Sequence, residues 1–243
     1  MRNAHVRLPT PLACALIAAA IASIVLTVLV ATGWAPLLSF DGRIARTLHS
    51  YAVSHPGVTR LVRVLSDWVW DPWTMRALAS AACLWLWWRG SGRCALRIAL
   101  ATLAASAVSQ GLKVWVGRER PVWPDPVASA DYAAYPSGHA LTATVVCGLL
   151  VWLVACRSAG PHARPYARPF TRSVPALALL LASVSVLGVG FTRIYLGVHW
   201  FSDVLAGWLL GAVLVALTVA VSVSDGACSG RSPVSPRAGG PAR

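Results

Sequence analysis

Charged residues are scarce in this chain of 243 residues: Asp, Glu, Lys and Arg together make up 12% of it. Soluble domains carry roughly 25%. Hydrophobic residues make up 57%, and the mean hydropathy is +0.64. So few charges cannot cover a globular surface that faces water. The composition therefore excludes an ordinary soluble domain and indicates a protein that lies mainly in a lipid bilayer.

The sequence also lacks any Cys-x-x-Cys pair, although it has six cysteines. Such pairs are typical of zinc sites and of thiol redox motifs. The sequence therefore gives no indication of a metal site or of redox chemistry, and we expect no cofactor.

Acidic residues are few: eight against 21 basic residues, for a net charge of +13. A basic surplus is typical of nucleic-acid binders, but its distribution here favours a membrane. If the N-terminus is cytoplasmic, twelve of the 21 basic residues and only one acid, Asp225, fall in cytoplasmic segments. This is the positive-inside pattern of short loops. We therefore expect a bilayer partner, no nucleic acid, and both termini in the cytoplasm. The twelve are Arg2, Arg7, Arg89, Arg93, Arg97, Arg157, Arg164, Arg168, Arg172, Arg231, Arg237 and Arg243.

Six apolar runs predict the fold class, an all-α polytopic membrane bundle of six transmembrane helices. The first, fifth and sixth runs reach the roughly 20 residues that cross a bilayer. The second run is short and needs residues 68–76 to complete a span. The runs are Leu12 to Gly33, Ala77 to Trp88, Ile98 to Leu112, Ala140 to Cys156, Ser173 to Thr192 and Val204 to Ser224.

The segment 36–71 is too polar to cross the membrane. Within it, Val58, Leu61, Val62 and Leu65 recur at helical spacing, which predicts a short amphipathic helix at the outer surface of the bilayer. Asp41 is predicted to cap another short helix there.

Residues 1–225 are expected to form one domain, with its chemistry in residues 113–203. The tail 226–243 is rich in Gly, Pro, Ser and Arg, and we predict that it is disordered and cytoplasmic.

Three junctions between the predicted spans, all on one face, hold cations and histidines. They are Lys113 with Arg120-Pro121, Pro136-Ser137-Gly138-His139, and Thr192-Arg193 with His199 and Asp203. Arginine forks pair with phosphate oxygens, and a lysine adds a point charge. The second junction opens a helix, whose N–H groups and dipole favour an anion. These junctions together predict a phosphate site.

His199 and Asp203 stand four residues apart, so on a helix they would share one face. The carboxylate would then orient one ring nitrogen and leave the other free to attack. Taken alone, such a pair is more often a structural hydrogen bond, and Lys113 is as readily an interfacial anchor. The convergence of three junctions favours a site. Arg118 and Glu119 flank the first junction and are predicted to form a local ion pair with no catalytic role.

In order and spacing these segments resemble the three signature motifs of the type 2 phosphatidic acid phosphatase superfamily. The single departure is Thr192, where the pattern prefers serine. The resemblance implies a metal-independent phosphatase in which His199 attacks phosphorus, Asp203 orients it and His139 protonates the leaving oxygen. It also implies that the phosphoryl oxygens are held by Lys113, Arg120, Ser137, Gly138 and Arg193.

The resulting expectation is a lipid phosphatase of the plasma (inner) membrane with its active site on the outer side. Its substrate would be phosphatidic acid, phosphatidylglycerol phosphate or undecaprenyl pyrophosphate. Two alternatives stay open: a lipid-to-lipid phosphotransferase that uses the same site, and a non-catalytic transporter of anions or lipids. The sequence does not predict an oligomeric state.

Overall fold

The computed structural model describes residues 10–158 and 168–224, and within these ranges the regular structure is helical. The predicted disordered tail 226–243 lies outside the described residues. The helices are α1 (Thr10–Ala31), α2 (Ala35–Ser54), α3 (Pro56–Val64), α4 (Pro72–Trp88), α5 (Gly92–Val116), α6 (Gly138–Ser158), α7 (Arg168–Tyr195) and α8 (Phe201–Ser224), with a π-helical turn at Leu65–Val69 after α3.

In the described part of the chain, five helices are long and apolar enough to cross a bilayer: α1, α5, α6, α7 and α8. Apolar side chains on the outside of α1 and α7, such as Ile21, Ile24, Leu177 and Leu180, are exposed. This pattern suits contact with lipid rather than water. The protein is thus an all-α, multi-pass membrane protein. The predicted second span corresponds to α4, which has 17 residues, and a sixth crossing stays a prediction.

The segment between the first two predicted spans is helical, as α2 and α3. The predicted apolar stripe of α3 is divided: Val62 is buried against the protein, whereas Leu61 is 60% exposed. Its position at the outer membrane surface stays a prediction. The prediction for Asp41 was wrong. Asp41 does not cap its own helix but lies within α2, fully buried, and its carboxylate pairs with Arg118, which is distant in the sequence.

Helix α6 is the centre of the bundle and packs against α4, α5, α7 and α8. Its Leu141, Val145 and Leu149 are fully buried in one apolar cluster with Leu86 of α4 and Ile98 of α5. The helix is therefore fixed on several sides, which holds its first turn in a defined position.

Two glycines one turn apart bring α8 against α6. A Cβ atom at Gly207 would lie 2.8 Å from the carbonyl oxygen of Ser137, and one at Gly211 would lie 2.6 Å from Cβ of Thr144. Small residues at such a crossing let two helices approach closely. The first turns of α6 and α8 consequently meet at one face of the bundle.

The same face receives the ends of α5 and α1. Gly117 ends α5 in a left-handed conformation, with φ of 61°. Within the loop 117–137, the hydroxyl of Tyr135 lies 2.8 Å from that of Thr27, near the end of α1. At the far end, Arg97 of α5 donates to the Val221 carbonyl of α8. Helix α1 therefore begins, and α8 ends, at the opposite face.

Substituting Gly207→Ala tests the crossing. The added methyl group would press on backbone atoms of α6, and overpacking of this kind costs about 1–3 kcal/mol. We expect a melting temperature several degrees below that of the wild-type protein in detergent.

Gly111→Ala is the matched control, because a Cβ there has no neighbour within 4 Å and alanine favours a helix. Equal melting temperatures for Gly207→Ala and the wild type would contradict the close crossing.

Candidate active site

The three predicted junctions surround one cavity of about 430 Å³ at this face. Six of the predicted site residues line it: Lys113, Arg120, Gly138, His139, Arg193 and His199. The other two, Ser137 and Asp203, are fully buried and are not among its lining residues. The structure thus brings the three motifs together, with two of their residues behind the cavity wall.

The His199 ring is held from behind by Asp203. Its Nδ1 lies 3.3 Å from Oδ2 of Asp203, and the same oxygen accepts the Trp200 backbone N–H at 2.9 Å. This arrangement caps the start of α8. His199 therefore precedes the helix, and the prediction that both residues share a helical face was wrong. With Nδ1–H donated to the carboxylate, Nε2 is the unprotonated nitrogen, and in this structure it accepts a hydrogen bond from NH1 of Arg120 at 3.2 Å.

The electrostatic surroundings keep His199 neutral. Burial lowers the pKa of His199 well below its ordinary value, and the positive charges of Arg193, Arg120 and Lys113 lower it further. Because its pKa is so low, the His199 ring is neutral near neutral pH. The neutral ring is also the form that can act as a nucleophile.

Arg120 and Lys113 are anchored by carbonyl groups of the loop 117–137 and of the α7–α8 connection. The Arg120 guanidinium donates to the carbonyl oxygens of Tyr132 and Asp131, both at 2.9 Å, and NH1 lies 3.2 Å from Nε2 of His199. Lys113, which is the only lysine of the chain, donates to the carbonyl oxygen of Ala133. Neither cation forms an ion pair with a carboxylate among residues 10–158 and 168–224, and both line the cavity.

Arg193 is buried, with 6% of its surface exposed. Its NH1 donates to Oγ of Ser66 at 2.9 Å and lies 4.0 Å from Oδ1 of Asp67. Its Nε and the nearby Ser109 Oγ have no hydrogen-bond partner among the described residues. Unsatisfied polar groups are unfavourable in a protein interior. Both residues line the cavity, so an oxygen-rich ligand could satisfy them.

His139 is the second residue of α6 and lines the cavity together with His199. Its Nε2 lies 4.0 Å from Oδ1 of Asp71, the residue that caps α4. The backbone N–H of Ser137 donates to the Asp203 carbonyl at 2.9 Å, not toward the cavity. Gly138 does line the cavity. The predicted phosphate-binding role of Ser137 stays a prediction.

A buried network behind His199 was missed by the sequence reasoning. Arg118 donates to Oδ1 of Asp203 at 2.6 Å and to Oδ2 of Asp41 at 2.7 Å. Ser202 joins them, because its backbone N–H donates to Asp41 at 3.0 Å. The predicted local ion pair of Arg118 with Glu119 was wrong, since Arg118 lies in the loop after α5 and its ionic partners come from α2 and α8. The sequence carried no clear signal for this network, because Asp41 has Arg43 and Arg46 close by on the same helix as apparent local partners.

With this geometry defined, comparison with known proteins gives the family. The profile of the PAP2 superfamily matches residues 94–225. The chain belongs to the PAP2 superfamily. All three junctions lie within the matched segment of this PAP2 chain.

Two curated relatives match parts of the chain. Phosphatidylglycerophosphatase B of Bacillus subtilis (strain 168) is 32% identical over 106 residues, which cover 44% of this chain and 47% of that protein. An undecaprenyl-diphosphatase of Sulfolobus acidocaldarius is 33% identical over 91 residues, 37% of this chain and 34% of its own. The chain thus spans half or less of the length of these relatives.

A solved structure has a similar fold. The crystal structure of a transmembrane PAP2 type phosphatidylglycerolphosphate phosphatase from Bacillus subtilis covers 84% of this chain and 95% of its own, with a TM-score of 0.61 and 21% identity. At that identity the likeness concerns the fold alone.

The network around Arg118 predicts strong coupling between Arg118 and Asp41. Removing one member of a buried ion pair costs about 3–5 kcal/mol, because the other charge is left unpaired. We expect Arg118→Gln and Asp41→Asn each to lower the melting temperature markedly. The melting temperature of the double variant should fall by less than the sum of the two single decreases.

Thermal unfolding of the four proteins in detergent measures this, with the exposed Arg46→Gln as control. Strictly additive effects would show that the two residues act independently.

Proposed function

We propose that this PAP2 chain is an integral-membrane phosphatase that releases phosphate from a lipid phosphate monoester or diphosphate through a phosphohistidine intermediate. One observation carries the proposal: the neutral His199 ring, backed by Asp203, lies in a cavity that also holds Lys113, Arg120 and Arg193. A nucleophile and three cations around one space are what phosphoryl transfer requires.

In the proposed reaction, the anionic substrate offsets the cavity cations, and His139 is protonated in the complex. Nε2 of His199 attacks phosphorus as the bond to the leaving oxygen breaks, and the His139 imidazolium donates its proton to that oxygen. Water then attacks the phosphohistidine and gives its proton to His139. Inorganic phosphate leaves, and His199 is regenerated. The three cations neutralise the phosphoryl oxygens, so we propose that no metal ion is needed. Gly138 at the start of α6 lets the backbone lie close to the phosphate.

The substrate class rests on the membrane fold and on the relatives. One relative is named for phosphatidylglycerophosphate and the other for undecaprenyl diphosphate. In both lipids a phosphate is carried on a hydrocarbon tail that can stay in the bilayer. Phosphatidic acid has the same property and belongs to the proposed class.

Two other functions use the same residues. A lipid-to-lipid phosphotransferase would pass the phosphoryl group from His199 to a lipid acceptor instead of water. A transporter would bind the anion with the three cations and would leave the His199–Asp203 pair without a role. The position of Asp203 behind His199, rather than among the cations, favours catalysis.

Phosphate release is the first test. Purified protein in mixed micelles should release phosphate from these lipids in the presence of EDTA, and vanadate should inhibit it. His199→Ala should lower kcat by at least about a thousandfold, because the nucleophile is lost.

His55→Ala is the matched control, an exposed histidine that stacks on Tyr51 and does not line the cavity. Full activity in His199→Ala contradicts the nucleophile assignment. Label recovered on a lipid acceptor instead of in free phosphate indicates transfer, and lipid movement that survives His199→Ala indicates transport.

We also propose that the site faces the outside of the plasma membrane. The support is the positive-inside distribution of charge, combined with the placement of both described ends at the face opposite the cavity. A reporter that is active only in the cytoplasm should give a signal when fused after residue 243. A signal from an export-dependent reporter at the same position contradicts this orientation.

A further inference from the structure

A fourth cation lines the same cavity outside the three motifs. Arg76 of α4 lies with its guanidinium 5.1 Å from the centre of the Trp73 ring, and its NH2 is 3.4 Å from Oγ of Ser106 on α5. In the described part of the chain it forms no ion pair. A cation in a cavity of a membrane protein that forms no ion pair, although Asp71 lines the same cavity, indicates a function.

Arg76 lies on the membrane side of the proposed reaction centre. Ser106, Gln110 and Lys113 follow one another along the cavity side of α5. The seven residues from Ser106 to Lys113 correspond to about 10 Å at 1.5 Å per residue. Lys113 is in the last turn of α5, at the face that holds His199. Ser106, and with it Arg76, is therefore deeper in the bundle by about two helical turns.

The cavity offers further polar groups between these two levels. Ser109, with its unsatisfied Oγ, and Gln110 lie on α5 between Ser106 and Lys113, and Thr142 lines the opposite wall on α6. Trp73 and Gln110 line the cavity and are themselves exposed, so it is open beside them between α4 and α5. Polar groups thus line the cavity from the three cations to Arg76, and the cavity is open between α4 and α5.

We propose that Arg76 binds a second phosphate of the substrate, the one that does not react. A lipid with two phosphates carries the terminal one farthest from its tail. When the terminal phosphate reaches His199, the other lies on the tail side, where Arg76 supplies the next cation. The planar fork of arginine suits a phosphate group.

This inference rests on the proposed function and narrows its substrate class. It favours lipids with two phosphates, either adjacent in a diphosphate or separated by glycerol, over lipids with one. Phosphatidic acid has no group for Arg76 to bind and should be the poorer substrate.

The test measures binding separately from turnover, in a His199→Ala background. Two matched pairs serve as probes: a short-chain isoprenyl diphosphate with its monophosphate, and short-chain phosphatidylglycerol phosphate with phosphatidic acid. The protein should bind the two-phosphate member of at least one pair more tightly. Arg76→Gln should lower that preference about tenfold or more, since a charge-assisted contact is lost.

Arg43→Gln is the matched control, because Arg43 is an exposed arginine that lies over Phe40 and lines no part of this cavity. Arg43→Gln should leave the ratio of the affinities for the two-phosphate and one-phosphate lipids unchanged. Arg76→Lys keeps the charge but not the fork and should give an intermediate ratio, which also serves if Arg76→Gln folds poorly. The pair with the larger change identifies the spacing of the two phosphates.

Equal binding of both members of each pair by the protein, or an unchanged ratio in Arg76→Gln and Arg76→Lys, overturns the inference. Turnover in the His199-containing protein is measured in parallel. If binding is selective and depends on Arg76 but no phosphate is released, the proposed function is contradicted and the second-phosphate site is supported. Phosphate release combined with a binding preference that does not depend on Arg76 would contradict the second-phosphate site and support the proposed function.

Discussion

The burial of Asp203 is the constraint on which the rest of the site depends. A carboxylate with no exposed surface is strongly unfavourable unless it is paired and hydrogen-bonded. Arg118, the Trp200 backbone N–H and the His199 ring supply these partners. Arg118 in turn needs the buried carboxylate of Asp41. One buried charge therefore ties α2, the loop after α5 and the start of α8 into a single unit behind His199.

The cavity in front of His199 has the opposite electrostatic character. Lys113, Arg120 and Arg193 meet there, and their mutual repulsion is offset by neutral carbonyl and hydroxyl groups rather than by a full set of carboxylates. Asp203 lies behind the histidine, where it orients the ring without cancelling the field in the cavity. This separation of charge favours an anionic ligand and keeps the nucleophile neutral, two conditions that phosphoryl transfer needs together.

Helix packing converts sequence motifs into this geometry. Lys113 lies in the last turn of α5 and His139 in the first turn of α6. Arg193 and Asp203 lie in the last turn of α7 and the first turn of α8. They meet because antiparallel helices return to the same face, and because Gly207 and Gly211 let α8 lie directly against α6. The loop 117–137 then closes the site through its carbonyl contacts to Arg120 and Lys113.

The sequence by itself determined the bilayer environment and the helical class, and it singled out the three segments that the structure brings around one cavity. Apolar run length and motif spacing are local properties, which is why the sequence could record them. Only the tertiary structure decided the partners of Arg118, the burial of Asp41 and Ser137, and the presence of Arg76 in the cavity. Each of these features depends on side chains from different parts of the chain. The partner of a buried polar group is determined by the helix that packs against it, and a local sequence pattern does not contain that information.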